Sequence, residues 1–221
     1  MAQGVTIIGA TGDLGYGLAV RWAQAGIAVT IGSRDAARAA EAAGRVAEAV
    51  PAGTVQGLAN EEAAATADVV VMSVPFGGQA PTYKSIADSL KPGQLVIDAT
   101  VPLATATGGK ATRLLGVPQG SAAQQAAELV PEGVDLVSAL HTVSASKLTE
   151  LGTPLDEHVL VCGDRKDPKA AAIELIERID GLRAIDVGRL EISRITESMT
   201  ALLISVNIKH KTHAGVRLTG V

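Results

Sequence analysis

Short β-branched runs alternate with longer alanine-rich stretches along the first half of the chain, and this alternation limits the possible folds more than any other feature. Val5 to Ile8, Ile27 to Gly32, Val69 to Val74 and Leu95 to Ile97 read as strands. Between them, Leu14 to Ala25 and Asp35 to Val50 read as helices, the second stopped by Pro51; a further helix ends over Ile86 to Leu90, before Pro92-Gly93 turns the chain. The 69–74 run is nearly all Val with no polar alternation, as expected of a strand buried on both faces. Further strands are expected at Asp135 to Ala139, Val159 to Val161 and Ala184 to Val187. Strands joined through helices must cross over and run parallel, so the pattern predicts an α/β fold with helices on both faces of a doubly wound parallel sheet.

Two segments fall outside the alternation. Thr105 to Gly120, rich in Gly, Thr and Pro, is expected to be a surface loop. The tail from about Glu191 to Lys211, after Gly188, reads as one helix with a long apolar face, suited to docking on the rest of the chain or on a second subunit.

Composition narrows the function. Aromatic residues make up only 2% of the 221 residues, so the core is aliphatic and stacking on aromatic side chains contributes little to any ligand site. The formal charge is −4 and there is no basic stripe, which argues against a nucleic-acid partner, since phosphate backbones are held by clustered Lys and Arg. The lone Cys162 has no partner for an internal disulfide or a cysteine metal site; flanked by Val-Leu-Val and Gly, it reads as inert packing in a buried strand. No metal site is expected: His210 and His213 lack nearby carboxylates, and His158, beside Glu157, reads as a surface residue. The N-terminal residues lead directly into an apolar strand, and no apolar run approaches the roughly 20 residues that span a bilayer. A cytoplasmic protein without membrane contact is expected.

The first strand-to-helix junction carries Gly9-Ala10-Thr11-Gly12-Asp13-Leu14-Gly15. Glycines there let the backbone turn tightly and approach a pyrophosphate, whose charge favours the helix N-terminus. The spacing is G-x-x-G-x-x-G, and its position after the first strand makes it a dinucleotide turn; a plain strand-to-helix turn is the alternative. The end of the second strand adds an independent signal. An NAD site usually has Asp or Glu there for the ribose hydroxyls. This chain has Ser33-Arg34, with Arg38 one helical turn on, and guanidinium groups can clamp a 2′-phosphate through charge-assisted bonds. NADP is therefore favoured over NAD, and Asp35 is left to cap the following helix. Ser73-Val74-Pro75-Phe76 and Val101-Pro102 follow later strands, at the edge where open α/β sheets bind ligands, and are candidate walls for the nicotinamide half.

A short-chain dehydrogenase is excluded because it needs a Tyr with a Lys four residues later. Tyr16 is followed at that spacing by Val20, and Tyr83 by Ala87. The chain instead resembles the NADPH-dependent reductases of the deazaflavin coenzyme F420 (F420H2:NADP oxidoreductases). The similar stretches are Gly9 to Gly17, Gly32-Ser33-Arg34, Ser138-Ala139-Leu140-His141-Thr142, Val161-Cys162-Gly163-Asp164, Ile179-Asp180-Gly181-Leu182-Arg183, and Ser193-Arg194 with Glu197-Ser198-Met199-Thr200. It departs at Phe76, where the family often has Trp, and matches poorly over Thr105 to Gly120 and after Asn207.

The resemblance implies a Rossmann-type NADP-binding domain over residues 1–150, a small C-terminal part over 151–221 covering a cleft, and a homodimer. It implies that Thr11, Gly12, Asp13 and Leu14 hold the pyrophosphate and that Ser33, Arg34 and Arg38 hold the 2′-phosphate. Phe76, Ala80, Val101, His141, Val143 and Ala145 would line the nicotinamide and deazaflavin cleft, and Arg194, Ser198 and Thr200 would reach the deazaflavin from the tail helix. Hydride transfer between stacked rings needs aligned faces and excluded water more than an acid or base. His141 is expected to hydrogen-bond a carboxamide or the deazaflavin ring, or else to be structural. Two other readings are a reductase of a small imine or carbonyl, for which the single tail helix is short, and a non-catalytic NADP sensor.

Overall fold

The computed structural model describes residues 4–221. Eight strands form one sheet: β1 Gly4–Ile8, β2 Ala28–Ser33, β3 Val55–Ala59, β4 Val69–Met72, β5 Leu95–Asp98, β6 Asp135–Ser138, β7 Glu157–Cys162 and β8 Leu182–Gly188. Their order is β3-β2-β1-β4-β5-β6-β7-β8. The six strands from β3 to β6 are parallel, so the chain winds outward from β1 in both directions, the Rossmann-type arrangement. The helices are α1 Asp13–Gln24, α2 Ala36–Ala49, α3 Asn60–Ala64, α4 Phe76–Ile86, α5 Ala122–Ala127, α6 Ala145–Thr149, α7 Lys166–Ile176 and α8 Ser193–His210.

Alternate residues of the central strands feed two cores, one on each face. Val5, Ile7, Val69, Val71, Leu95 and Ile97 pack under α1, α2 and α7. Ile8, Val70, Met72 and Val96 pack under α3 and α4. Asp35 caps α2 as expected, its Oδ1 accepting from the amide of Ala37 at 2.9 Å.

The structure corrects three expectations. A strand, β3, and a short helix, α3, occupy the stretch after Pro51, where neither was expected. The sheet is not wholly parallel: β6 meets β7 antiparallel through a single bridge, Ser138 with Cys162, and β8 then runs parallel to β7. Because β7 runs backwards from that bridge, its first residues rise past the carboxyl ends of β5 and β6, by roughly 17 Å at about 3.3 Å per residue. His158 is buried, not on the surface. Its amide donates to Val216 O at 2.7 Å and its Nδ1 accepts from the amide of Leu218 at 3.2 Å, so the tail after α8 covers the edge of β7 that β6 leaves open.

Two side chains of α1 dock the C-terminal elements. Trp22 Nε1 donates to Leu175 O of α7 at 2.9 Å. Arg21, only 4% exposed, donates to the carbonyls of Leu148, Lys147, Glu150 and Thr153 at 2.7–3.0 Å. Its guanidinium thus neutralises the free carbonyl end of α6.

Candidate functional site

The carboxyl ends of β1, β2, β4, β5 and β6 lie side by side because strand pairing continues one residue beyond β1, β4, β5 and β6. Gly9 N donates to Gly32 O, Ser73 N to Ile8 O, Ala99 N to Met72 O and Ala139 N to Asp98 O, all at 2.9–3.1 Å. This edge brings together Gly9 to Leu14, Ser33, Ser73 to Phe76, Val101 to Pro102 and the loop from Ala139 to Ala145. Residues more than 130 apart in sequence thus share one edge of the sheet.

At β1 the glycines have distinct tasks. Gly9 adopts φ +93°, and a Cβ there would sit 2.5 Å from Ser73 O. A Cβ at Gly15 would lie 2.6 Å from Ala10 Cα, so that glycine lets α1 pack against the turn. Gly12 differs. Its φ of −91° suits any residue, and a Cβ would meet only Gly9 O at 3.5 Å. The fold therefore leaves open space beside Gly12, where the helix presents the unbonded amides of its first turn. Thr11, Gly12 and Asp13 are exposed and Leu14 half-buried. The turn thus fits a pyrophosphate.

At β2, Ser33 is half-buried and its Oγ accepts from the amide of Asp35 at 3.3 Å. Arg34 and Arg38 are exposed, and among the described residues neither takes part in an ion pair. Two unneutralised guanidinium groups beside the glycine turn suit a further phosphate.

Along the other exits, Ser73, Val74, Phe76, Ala80, Val101 and Ala145 are half-buried, Pro75 is exposed, and Pro102 and Val143 are buried. The bend into the last loop is strained: Leu140 has φ 70°, in the left-handed region, while its side chain is fully buried. His141 follows. Its Nε2 lies 3.2 Å from Ser138 Oγ, and the ring also hydrogen-bonds the backbone of Asp98. Burial lowers its pKa to about 4, with the Asp98 bond opposing. The imidazole is thus neutral at pH 7 and engaged with Ser138 at the end of β6.

The tail-helix residues divide. Thr200 Oγ1 donates to His141 O at 2.8 Å, bringing α8 against the loop after β6. Ser198 Oγ donates to Ile195 O of its own helix at 2.6 Å. Arg194 is exposed, about 9 Å earlier along the helix at 1.5 Å per residue.

Sequence reasoning missed a buried polar group behind these walls. Asp98 accepts from Tyr83 OH at 2.7 Å, Gln79 Nε2 at 3.0 Å and Thr100 N at 2.8 Å. Burial raises the Asp98 pKa, partly offset by those donors, and raises that of the Tyr83 phenol well above its ordinary value. Glu197 of α8 accepts from the amides of Ala122 and Ala123 at 2.8 and 3.0 Å, and burial pushes its pKa up to about 8. The sequence gives no cue to it, since Glu197 stands between Thr196 and Ser198 in a helix of mixed polarity. A cavity of about 480 Å³ lies elsewhere, between α5 and the turns after β7 and β8, lined by Gln119, Gln124, Glu128, Asp164, Arg189 and Glu191, with none of the candidate residues.

Comparison with known proteins decides between the readings. Residues 4–102 match the family model described as NADP oxidoreductase, coenzyme F420-dependent. The F420-dependent NADP reductase of Methanothermobacter thermautotrophicus is 44% identical over 225 residues, covering 100% of this chain and 97% of that protein. The chain belongs to the F420-dependent NADP reductase family. In fold, a putative F420-dependent NADP reductase from an Arthrobacter species superposes with a TM-score of 0.83 at 24% identity, over 98% of this chain and 99% of that one. A pyrroline-5-carboxylate reductase from Coxiella burnetii gives a TM-score of 0.58 at 15% identity, and the match covers only 73% of its length. The part of that reductase outside the match has no counterpart in this chain, in keeping with the single tail helix. Among the described residues no helix is long and apolar enough to cross a membrane.

Proposed function

We infer that this chain transfers a hydride between NADP(H) and the deazaflavin coenzyme F420. Whole-length similarity to F420-dependent NADP reductases supports the activity, and the open turn at Gly12 beside two unpaired arginines is the observation that carries the site. The pyrophosphate lies against Gly9, Thr11, Gly12, Asp13 and Leu14, and the 2′-phosphate against Ser33, Arg34 and Arg38. The nicotinamide half follows the exits Ser73-Val74-Pro75-Phe76 and Val101-Pro102, with Ala80 behind. The deazaflavin enters over Val143 and Ala145, faced by Arg194, Ser198 and Thr200. When bound, the reduced coenzyme supplies the hydride and a proton, and NADP takes the hydride.

The protein's part is alignment and exclusion of water. His141 takes part by holding its loop, since its ring is neutral and already engaged. Residues 1–150 form the NADP side and 151–221 the covering side. Ile195 and Leu202, seven residues apart on one face of α8, are 53% and 60% exposed, an apolar surface that favours a homodimer. The deciding experiment mixes purified protein with reduced F420 and NADP and follows deazaflavin absorbance. Coupled oxidation and reduction is expected; NADPH binding without turnover would leave only an NADP sensor.

A further inference from the structure

The fastening of α8 has a feature that ordinary capping does not require. The first turn of α5 already has a cap, because Ser121 Oγ accepts from the amide of Gln124 at 3.0 Å. Glu197 supplies a second set of acceptors, reaching across from another helix with its side chain 2% exposed. Among the described residues no cation pairs with it. Burying a carboxyl group with no cation beside it is expensive, since it must either ionise out of water or give up its charge, and stability alone would be served as well by a neutral residue.

The bonds beyond it lead into the cleft. Ala122, whose amide donates to Glu197, accepts at its carbonyl from Gln79 Nε2 at 3.0 Å. The same Gln79 nitrogen donates to Asp98 Oδ2 at 3.0 Å, and Asp98 Oδ1 accepts from the amide of Thr100 at 2.8 Å. Thr100 is the residue before Val101-Pro102. One turn along α8, Thr200 holds the His141 carbonyl at 2.8 Å. The helix is therefore anchored twice, once to the exit of β5 and once to the loop after β6. Gln79, Asp98 and Thr100 are all fully buried, so the connection has little slack.

We propose that Glu197 is a positioning residue: by binding the first turn of α5 from α8, it sets the spacing between the nicotinamide wall at Val101 and the deazaflavin side carried by α8. This rests on the hydride-transfer reading above. Reacting atoms must come within roughly 3–3.5 Å, and a misplacement of about 1 Å costs on the order of 100-fold in rate. Loosening the anchor therefore acts on the transfer step and not on the dinucleotide turn, which lies on α1.

The test uses the full-length protein with NADPH and F420, in wild-type, Glu197→Ala, Glu197→Gln and Gln79→Leu forms. Each is assayed for kcat, for both KM values, and for the primary isotope effect with NADPH deuterated at the transferred position. Glu197→Ala is expected to lower kcat by about 10- to 100-fold and enlarge the isotope effect, with KM for NADPH changed less than about twofold. Glu197→Gln, which keeps one acceptor oxygen, is expected to recover part of the rate. Gln79→Leu cuts the connection from α4 and is expected to repeat the Glu197→Ala pattern, so it carries the test if Glu197→Ala fails to fold. Wild-type kcat and isotope effect in a folded Glu197→Ala or Gln79→Leu protein would overturn the proposal, as would a loss confined to either KM. Absence of turnover in the wild type would instead defeat the hydride-transfer reading itself.

Discussion

Replacing Gly12 by Ala separates the demands of the fold from those of the dinucleotide. Gly12 has φ −91° and ψ 163°, open to any residue, and the added methyl would lie 3.5 Å from Gly9 O, an ordinary contact. The position precedes α1, where Ala caps slightly worse than Gly, so the folding cost is under about 1 kcal/mol, or roughly 2–4 °C in Tm. Binding is another matter, because the methyl fills the space through which a pyrophosphate reaches the first-turn amides. Loss of a single charge-assisted hydrogen bond costs about 1.5–3 kcal/mol, which is roughly a 10- to 150-fold rise in Kd for NADPH. The Gly15→Ala variant is the contrast: its methyl would lie 2.6 Å from Ala10 Cα, so backbone must move, at about 1–3 kcal/mol of folding stability. Calorimetric titration with NADPH and thermal unfolding of both variants make the comparison. If Gly12→Ala kept wild-type affinity for NADPH, the dinucleotide would not lie over this turn.

Three further outcomes are expected. Arg34→Ala should weaken NADPH about 10-fold or more while leaving NADH nearly unchanged, measured as paired Kd values at fixed salt; equal losses would remove the 2′-phosphate from this position. Arg21→Ala should cost roughly 3 kcal/mol, or about 6–12 °C in Tm, because four carbonyls lose their donor; a shift under 2 °C would show that water replaces it readily. Glu157 is buried beside Gly215, its Oε2 has no partner, and burial raises its pKa to about 7. A carboxylate with a raised folded pKa contributes stability that is full below the unfolded value near 4.5 and is lost as pH rises through about 7. Glu157→Gln should therefore raise Tm at pH 8 relative to wild type and leave it little changed at pH 4; equal effects at both would show that the carboxyl does not titrate in this range.

The strands on either side of the glycine turn were legible because hydrophobic runs and turn residues agree there. β3 was not, because Val55-Gln56-Gly57-Leu58-Ala59 has a glycine at its centre and no continuous apolar face. Gly57 has a packing reason that only the fold exposes: a Cβ there would lie 2.3 Å from the Ala39 carbonyl of α2. The reversal at β7 escaped for a different reason, since an apolar run carries no mark of its direction. His158 looked exposed beside a Glu, and only the returning tail buries it. In the candidate site, the motif residues of the carboxyl edge were readable from short spacings. The group of Gln79, Asp98 and Glu197 was not, because its members are far apart in sequence and share no periodicity.

The backward course of β7 also decides where the chain tolerates growth. The turn ahead of it is held against the far part of α1, where Arg21, about 12 Å along that helix from the glycine turn at 1.5 Å per residue, donates to the carbonyls of Glu150 and Thr153 at 2.8 and 3.0 Å. The turn after it emerges at the opposite edge, where Arg165 pairs with Asp135 at the start of β6 at 2.6 Å. Extra residues inserted in the first turn would displace carbonyls that Arg21 holds and loosen α6 from α1. The same insertion in the second would hang in solvent, where residues 164–167 are exposed, and a tag or fused domain placed there should leave that docking untouched.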